Sequence, residues 1–332
     1  MAVDRRDFLK SLGTGTLAAG AGLAAAGTLG AHPGPTVVTP SPERGGAPPK
    51  ERGAAGVGMC DWNLGASANP DLIPRARDAA LGGIQVSVGT DASNIPLRDR
   101  SVREKYVELG KEHNIVFHSI AAGGILNSIP LASEPQSAVY VIDAVEAAAA
   151  LGASNVLLAF FGRGDLRRRG DDNKLINEKD GEFSSYALKK EGVTRVVEAL
   201  RQIVPRAEDA GVILGLETTL TAKQNLEIAE RVGSPMVQVY YDVGNSWGNG
   251  YDVDGELRML GNDRICEVHL KDWKTPMLGS EGCMVDMKVC AAALGAINYD
   301  KWLVLETSGR KNRFLEDTRT NVAFVKKTFS MA

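Results

Sequence analysis

The sequence predicts a closed (β/α)8 barrel, a single-domain α/β fold, over residues 57–332. Three observations carry this expectation. Eight short apolar runs recur along the chain, and longer stretches of helical period separate them. No GxGxxG phosphate fingerprint follows the first run, which disfavours a doubly wound open sheet.

The runs, in order, are "VGMCDW" (57–62), "GIQVSVG" (83–89), "IVFHSIA" (115–121) and "NVLLAFFG" (155–162). The second half brings "VILGLET" (212–218), "VQVYYDVG" (237–244), "ICEVHLKD" (265–272) and "WLVLETS" (302–308). Each has the length and apolar, β-branched or aromatic character of a buried strand. Helical patterns fill 101–113, 138–152, 193–211 and 225–233, and the last three end in glycine, as a helix C-cap favours. Two long loops stand out. Residues 162–183, dense in both charge signs, follow strand 4 on the face where barrels keep their active sites, so they are positioned to close over a substrate. The stretch after Trp273 is the second.

The amino terminus is not part of the barrel. "DRRDFLK", with Arg5 and Arg6 paired, precedes a Gly/Ala-rich stretch without charge. Residues 1–31 resemble a twin-arginine export signal, with 24–26 as a small-residue cleavage site. That implies a periplasmic or secreted protein. The stretch is too Gly-rich for a good spanning helix, so no stable membrane association is expected after cleavage. Residues 32–56, rich in Pro, Gly and charge, read as a disordered linker. A formal net charge of -3, with both signs mixed along the chain, gives no reason to expect nucleic acid as a partner. The four cysteines form no CxxC pair and are expected to stay reduced.

The chemistry gathers on the last four strands. They deliver Glu217, Asp242, His269 and Glu306, one each, at or near their C-terminal ends. Any one alone reads as a strand-end cap. Four in succession, on strands adjacent in the ring, converge at the barrel mouth. Three crowded carboxylates would raise one another's pKa unless a cation balanced them. With one imidazole they make an N/O ligand set for a divalent ion: Mn, Mg, Co or Zn.

The segments "LGLETT", "YYDVGNS", "EVHLKDW" and "LVLETSG", with "LGSEGCMVDM" before the last, resemble the xylose isomerase-like TIM-barrel superfamily. More narrowly, they look like sugar and sugar-phosphate epimerases of the tagatose 3-epimerase and L-xylulose-5-phosphate 3-epimerase kind. The resemblance implies that Glu217, Asp242, His269 and Glu306 bind one divalent metal, commonly manganese. It also implies that Glu217 and Glu306 transfer the proton. Epimerisation beside a carbonyl removes a C–H proton from one face and returns one to the other, through an ene-diolate.

Departures from the free-ketose enzymes bear on the substrate. Asn245 stands where many of them have a histidine, and Lys271 and Lys274 stand near an expected arginine. Lys223 replaces an acid sometimes found there, while the "DVGN" form is closer to the phosphate-sugar branch. Asn245, Lys271, Trp62 and Trp273 are therefore the expected substrate contacts, and Trp62, Trp247 and Trp273 together the expected apolar wall. His118, Glu281 and Asp286 are expected to be structural. The expected partner is a small-molecule carbohydrate, with a homo-oligomer left open. Two alternatives accompany the epimerase: a lyase acting on 3-keto-glycosides through the same site, and a non-catalytic sugar-binding barrel. An endonuclease of the same superfamily would need more histidines and a basic groove.

Overall fold

Eight parallel strands close into one barrel in a computed structural model that describes residues 54–180, 183–307, 309–310 and 312–331. The expected export signal and most of the linker lie outside these residues. The strands are β1 (Gly56–Cys60), β2 (Gly83–Ser87), β3 (Val116–Ala121) and β4 (Asn155–Phe160), then β5 (Ile213–Thr218), β6 (Val237–Asp242), β7 (Ile265–Leu270) and β8 (Trp302–Leu305). Each pairs in parallel with its sequence neighbours, and β8 returns to β1 with Gly56 opposite Trp302. All eight predicted runs are barrel strands. β1 begins at Gly56, one residue ahead of the expected boundary.

Four predicted helices are present as Arg100–His113, Ala138–Leu151, Lys190–Ala210 and Ala222–Val232. Gly152, Gly211 and Gly233 cap the last three in the left-handed region, at φ 75, 65 and 84. The last helix starts earlier than its apolar period suggests. Thr221 and Gln224 form a reciprocal capping box that satisfies the first free N–H groups. No helix among the described residues is long and apolar enough to cross a membrane.

The N-terminal end of the barrel is plugged by His118. Its ring stacks on Trp302 with centroids 4.9 Å apart, and its Nδ1 lies 3.0 Å from Glu267 Oε2. Gly58 and Gly83 make room for it, since a Cβ at Gly58 would lie 2.2 Å from His118 Nε2. Among the described residues, the one His/Cys/Asp/Glu cluster suited to a metal excludes His118. What the structure gives His118 is packing on Trp302 and a bond to Glu267.

The two long loops are better ordered than a polar sequence suggests. Within 162–183 and just beyond, Asn177–Asp180 and Phe183–Tyr186 pair as an antiparallel hairpin. Thr219 Oγ1 donates to Asp165 at 2.9 Å, Arg167 donates to Asn249 at 2.6 Å, and Gln224 donates to Tyr186 O at 2.9 Å. The insertion is thus tied to the loops after β5 and β6. No described residue from 162 to 186 lines the cavity at the barrel mouth, and the ties above brace the insertion against the side of the barrel. In the second loop, Asp272 accepts from the backbone N–H groups of Lys274, Thr275, Met284 and Val285. Asp286 caps the helix Met287–Ala296, and Glu281 is exposed. All four cysteines are free, and three are buried.

Candidate metal and sugar site

The four predicted strand-end residues meet at the C-terminal mouth. Each of Glu217, Asp242, His269 and Glu306 offers one ligand atom, and these atoms all lie within 4.8 Å of one another. Barrel register explains the convergence. Asp242 closes β6 directly opposite His269 on β7, Val304 faces His269 from β8, and Glu306 follows two residues later. His269 Nδ1 lies 3.2 Å from Glu217 Oε1, 3.7 Å from Glu306 Oε2 and 3.8 Å from Asp242 Oδ2.

Charge is balanced locally. Lys271 Nζ sits 2.7 Å from Asp242 Oδ2 and 2.6 Å from Glu306 Oε2. Burial raises Glu217 above the usual carboxylate range despite the imidazole beside it. Asp242 is buried too, yet the Lys271 ammonium and His269 hold it well below that range. Burial works against charge on His269, but the negative groups around it, Glu217 and Asp242 among them, hold its pKa well above the ordinary value.

Asp242 divides its two oxygens between tasks. Oδ1 accepts from Asn245 N at 2.8 Å and caps the short helix Val243–Gly248. Oδ2 is buried and faces the cluster, 2.7 Å from Lys271 Nζ and 3.8 Å from His269 Nδ1. Three carboxylates and an imidazole nitrogen, converging within 4.8 Å with one lysine ammonium beside them, make a donor set that fits a divalent cation. Glu217, Asp242, His269 and Glu306 are the residues that would hold it.

Above this floor opens a cavity of about 350 Å³. Glu217, Glu306, Asn245 and Lys271 line it together with Trp62, whose ring centroid is 6.4 Å from that of His269. Trp273 is placed elsewhere. It is 62% exposed, its indole N–H donates to Gly244 O, and its ring packs over Gly248, outside the cavity lining. Trp247 is not in the lining either. The apolar wall comes instead from Trp62, Leu157, Ala159 and Phe161.

A profile described as "Xylose isomerase-like TIM barrel" matches residues 73–328. The chain belongs to this family. Within it, 36% identity over 130 residues links the chain to SgbU of Escherichia coli strain K12, provisionally named an L-ribulose-5-phosphate 3-epimerase. That match spans 34% of this chain and 44% of the relative, less than half its length. A 2-epi-5-epi-valiolone 7-phosphate 2-epimerase from an Actinoplanes species is 27% identical over 233 residues, covering 68% of this chain and 77% of that one. Among solved structures, an L-ribulose 3-epimerase superposes with a TM-score of 0.63 at 19% identity, covering 83% and 95% of the two chains. A 3-keto-D-glucoside 4-epimerase from E. coli superposes with a TM-score of 0.62 at 13% identity, covering 82% and 98%. These two likenesses show the shared xylose isomerase-like fold.

Sequence reasoning missed several polar residues of the site. Ser67, Ser87, Thr90 and Asn127 line the cavity; they come from loops, a strand end and the short helix Gly123–Ser128 in the first half, where no motif marks them. Gln85 was overlooked too. Its Oε1 lies 3.0 Å from His269 Nε2. An amide inside the apolar run "GIQVSVG" was the available signal.

The raised pKa of His269 has a measurable consequence. A protonated imidazole must lose its proton to become a ligand, so cation affinity should rise with pH. The expected gain approaches tenfold per pH unit as long as the imidazole stays protonated, read between about pH 6 and about pH 8. Calorimetric Mn2+ titration in buffers of different ionisation enthalpy checks both the slope and the released proton. A flat affinity with no proton release would contradict the cationic imidazole.

Proposed function

We propose that this chain is a divalent-metal-dependent carbohydrate epimerase or isomerase, moving a proton beside a carbonyl through an ene-diolate. One observation carries the reading: Glu217 and Glu306 both line the sugar-sized cavity while sharing its floor with Asp242 and His269. The relatives named as epimerases support it. A bound cation, with Mn the expected ion, would supply Lewis-acid polarisation of the carbonyl and its neighbouring hydroxyl.

The protein's own groups do the rest. Glu217 and Glu306 come from β5 and the end of β8, so they approach a centrally bound sugar from different sides. One takes the proton and the other returns one to the opposite face. Burial of Glu217 raises its basicity, which suits a proton acceptor. Lys271 lines the same cavity, and the ammonium hydrogen left over from its two carboxylate contacts can donate to a developing oxyanion. Asn245, held by Asp242 and lining the cavity, orients a hydroxyl. Trp62 and Phe161 cover the apolar face of the ring and exclude water.

The lining favours an uncharged sugar over a phosphate ester. Lys271 is the one cationic side chain among the described lining residues, and two carboxylates already engage it. A phosphate dianion would find no cationic side chain in this lining beyond Lys271, which Asp242 and Glu306 already hold. A second reading, elimination from a 3-keto-glycoside, rests on the apolar wall, which could seat an aglycone. Metal-loaded protein in heavy water, given ketoses, their phosphate esters and 3-keto-glycosides, separates these readings. Deuterium should enter uncharged ketoses at least about 100-fold faster than their phosphates. Aglycone release would establish the lyase instead. Sugar retention without exchange would leave a binding protein and overturn the enzyme.

A further inference from the structure

The barrel interior beneath the site is filled by a chain of buried polar groups. We propose that Gln85 is a positioning residue that fixes which nitrogen of His269 faces the carboxylates, and that Tyr240 and Glu267 fix Gln85 in turn. The inference rests on the metal reading above and concerns groups outside the ligand set.

Proton counting along the chain leads to it. Glu267 is 1% exposed and sits among donors. Asn155 Nδ2 donates to its Oε1 at 3.0 Å, Tyr240 donates its hydroxyl to Oε2 at 2.8 Å, and His118 Nδ1 lies 3.0 Å from the same oxygen. A phenol has one proton. Once Tyr240 has given it to Glu267, its oxygen can only accept. Gln85 Nε2 lies 2.8 Å from that oxygen and 3.0 Å from Ser119 Oγ, so the NH2 end of the amide must face Tyr240. The carbonyl end is thereby turned the other way, to within 3.0 Å of His269 Nε2. An amide oxygen accepts and cannot donate, and the one other neighbour of Nε2, the Cys60 thiol 3.5 Å away, gives its hydrogen to the same amide oxygen at 3.3 Å, so Nε2 carries the hydrogen. That leaves Nδ1, 3.2 Å from Glu217 Oε1, as the nitrogen free to coordinate.

Nothing in this arrangement can easily yield. Gln85 and Ser119 have no exposure, and Tyr240 has 1%. A flipped amide would leave the Tyr240 hydroxyl facing two acceptors, Gln85 Oε1 and Glu267 Oε2, with one proton. The penalty for such unsatisfied buried groups holds the network in one register. Glu267 thus acts on the site from one barrel layer below it, through two intermediaries.

The test uses the full chain without sugar, with Mn2+ for titration and diamagnetic Zn2+ for spectra. Calorimetric titration should show Gln85→Met losing about 10- to 100-fold in Mn2+ affinity, the cost typical of removing the partner that orients a ligand histidine. Tyr240→Phe, which keeps ring volume and removes one oxygen, should lose affinity in the same direction and carries the test if Gln85→Met does not fold. Nitrogen-15 spectra of the Zn2+-loaded protein should show a hydrogen on His269 Nε2 and coordination at Nδ1. Wild-type affinity in both folded variants, or coordination through Nε2, would overturn the assignment. A purely structural Gln85 would lower the melting temperature of the metal-free variant and leave affinity unchanged, which also overturns it. Wild-type protein that holds no stoichiometric ion would overturn the metal reading itself, a distinguishable result.

Discussion

Replacing Glu306 by glutamine is expected to abolish deuterium exchange into substrate, by about 10²- to 10⁴-fold, while leaving the barrel folded. The residue follows β8, is only partly buried and lines the cavity, so its loss removes a proton carrier without opening the core. The amide keeps the shape and can still accept from Lys271, so packing is retained, and exchange is read at saturating Mn2+ because the lost charge also weakens the cluster that Glu306 shares. Glu217→Gln should lose exchange as well, together with part of the cation affinity, because Glu217 is the carboxylate closest to His269 Nδ1. Exchange rates by NMR, beside circular dichroism of each variant, provide the measurement. Full exchange in Glu306→Gln would remove that residue from the mechanism.

Asp242 offers the second large effect, and a pair of substitutions separates its two tasks. Asp242→Asn keeps a good N-cap for the helix Val243–Gly248, while Asp242→Ala removes it. Both lose the charged Oδ2 that faces the cluster. Cation affinity is therefore expected to fall by more than about 100-fold in both, beyond the loss typical of outer-sphere changes. Stability should divide them: the alanine variant is expected to be about 1 kcal/mol less stable than the asparagine variant. Mn2+ titration and denaturant melts read the two effects separately. If Asp242→Asn bound the ion as tightly as wild type, Asp242 would be a cap and nothing more.

The strongest features of the molecule were legible because they repeat. Each barrel strand is a short apolar run, and the acidic and imidazole residues recur at the same place in four of them, so position within the repeat placed Glu217, Asp242, His269 and Glu306 together. The hairpin of Asn177–Asp180 and Phe183–Tyr186 was not legible. "NEKD" has neither alternation nor β-propensity, and its pairing is supported by tertiary ties such as that between Arg167 and Asn249. Trp273 misled for a related reason. Its place after β7 says that it is near the mouth, but only the course of the loop decides which way the indole turns. Gln85, Tyr240 and Glu267 were hidden by distance: they lie on β2, β6 and β7, and each alone is an isolated polar residue in an apolar strand. Their meaning appears only when the barrel closes and brings them within hydrogen-bonding range.

The divided carboxylate of Asp242 has one more consequence. Its two oxygens belong to a single rigid plane, so a tilt that brings one nearer an ion also shifts the backbone amide of Asn245 held by the other. Filling the floor of the cup and aligning its rim are thereby geared to each other. On the proposed reading, such wiring would favour an ordered sequence, ion before sugar.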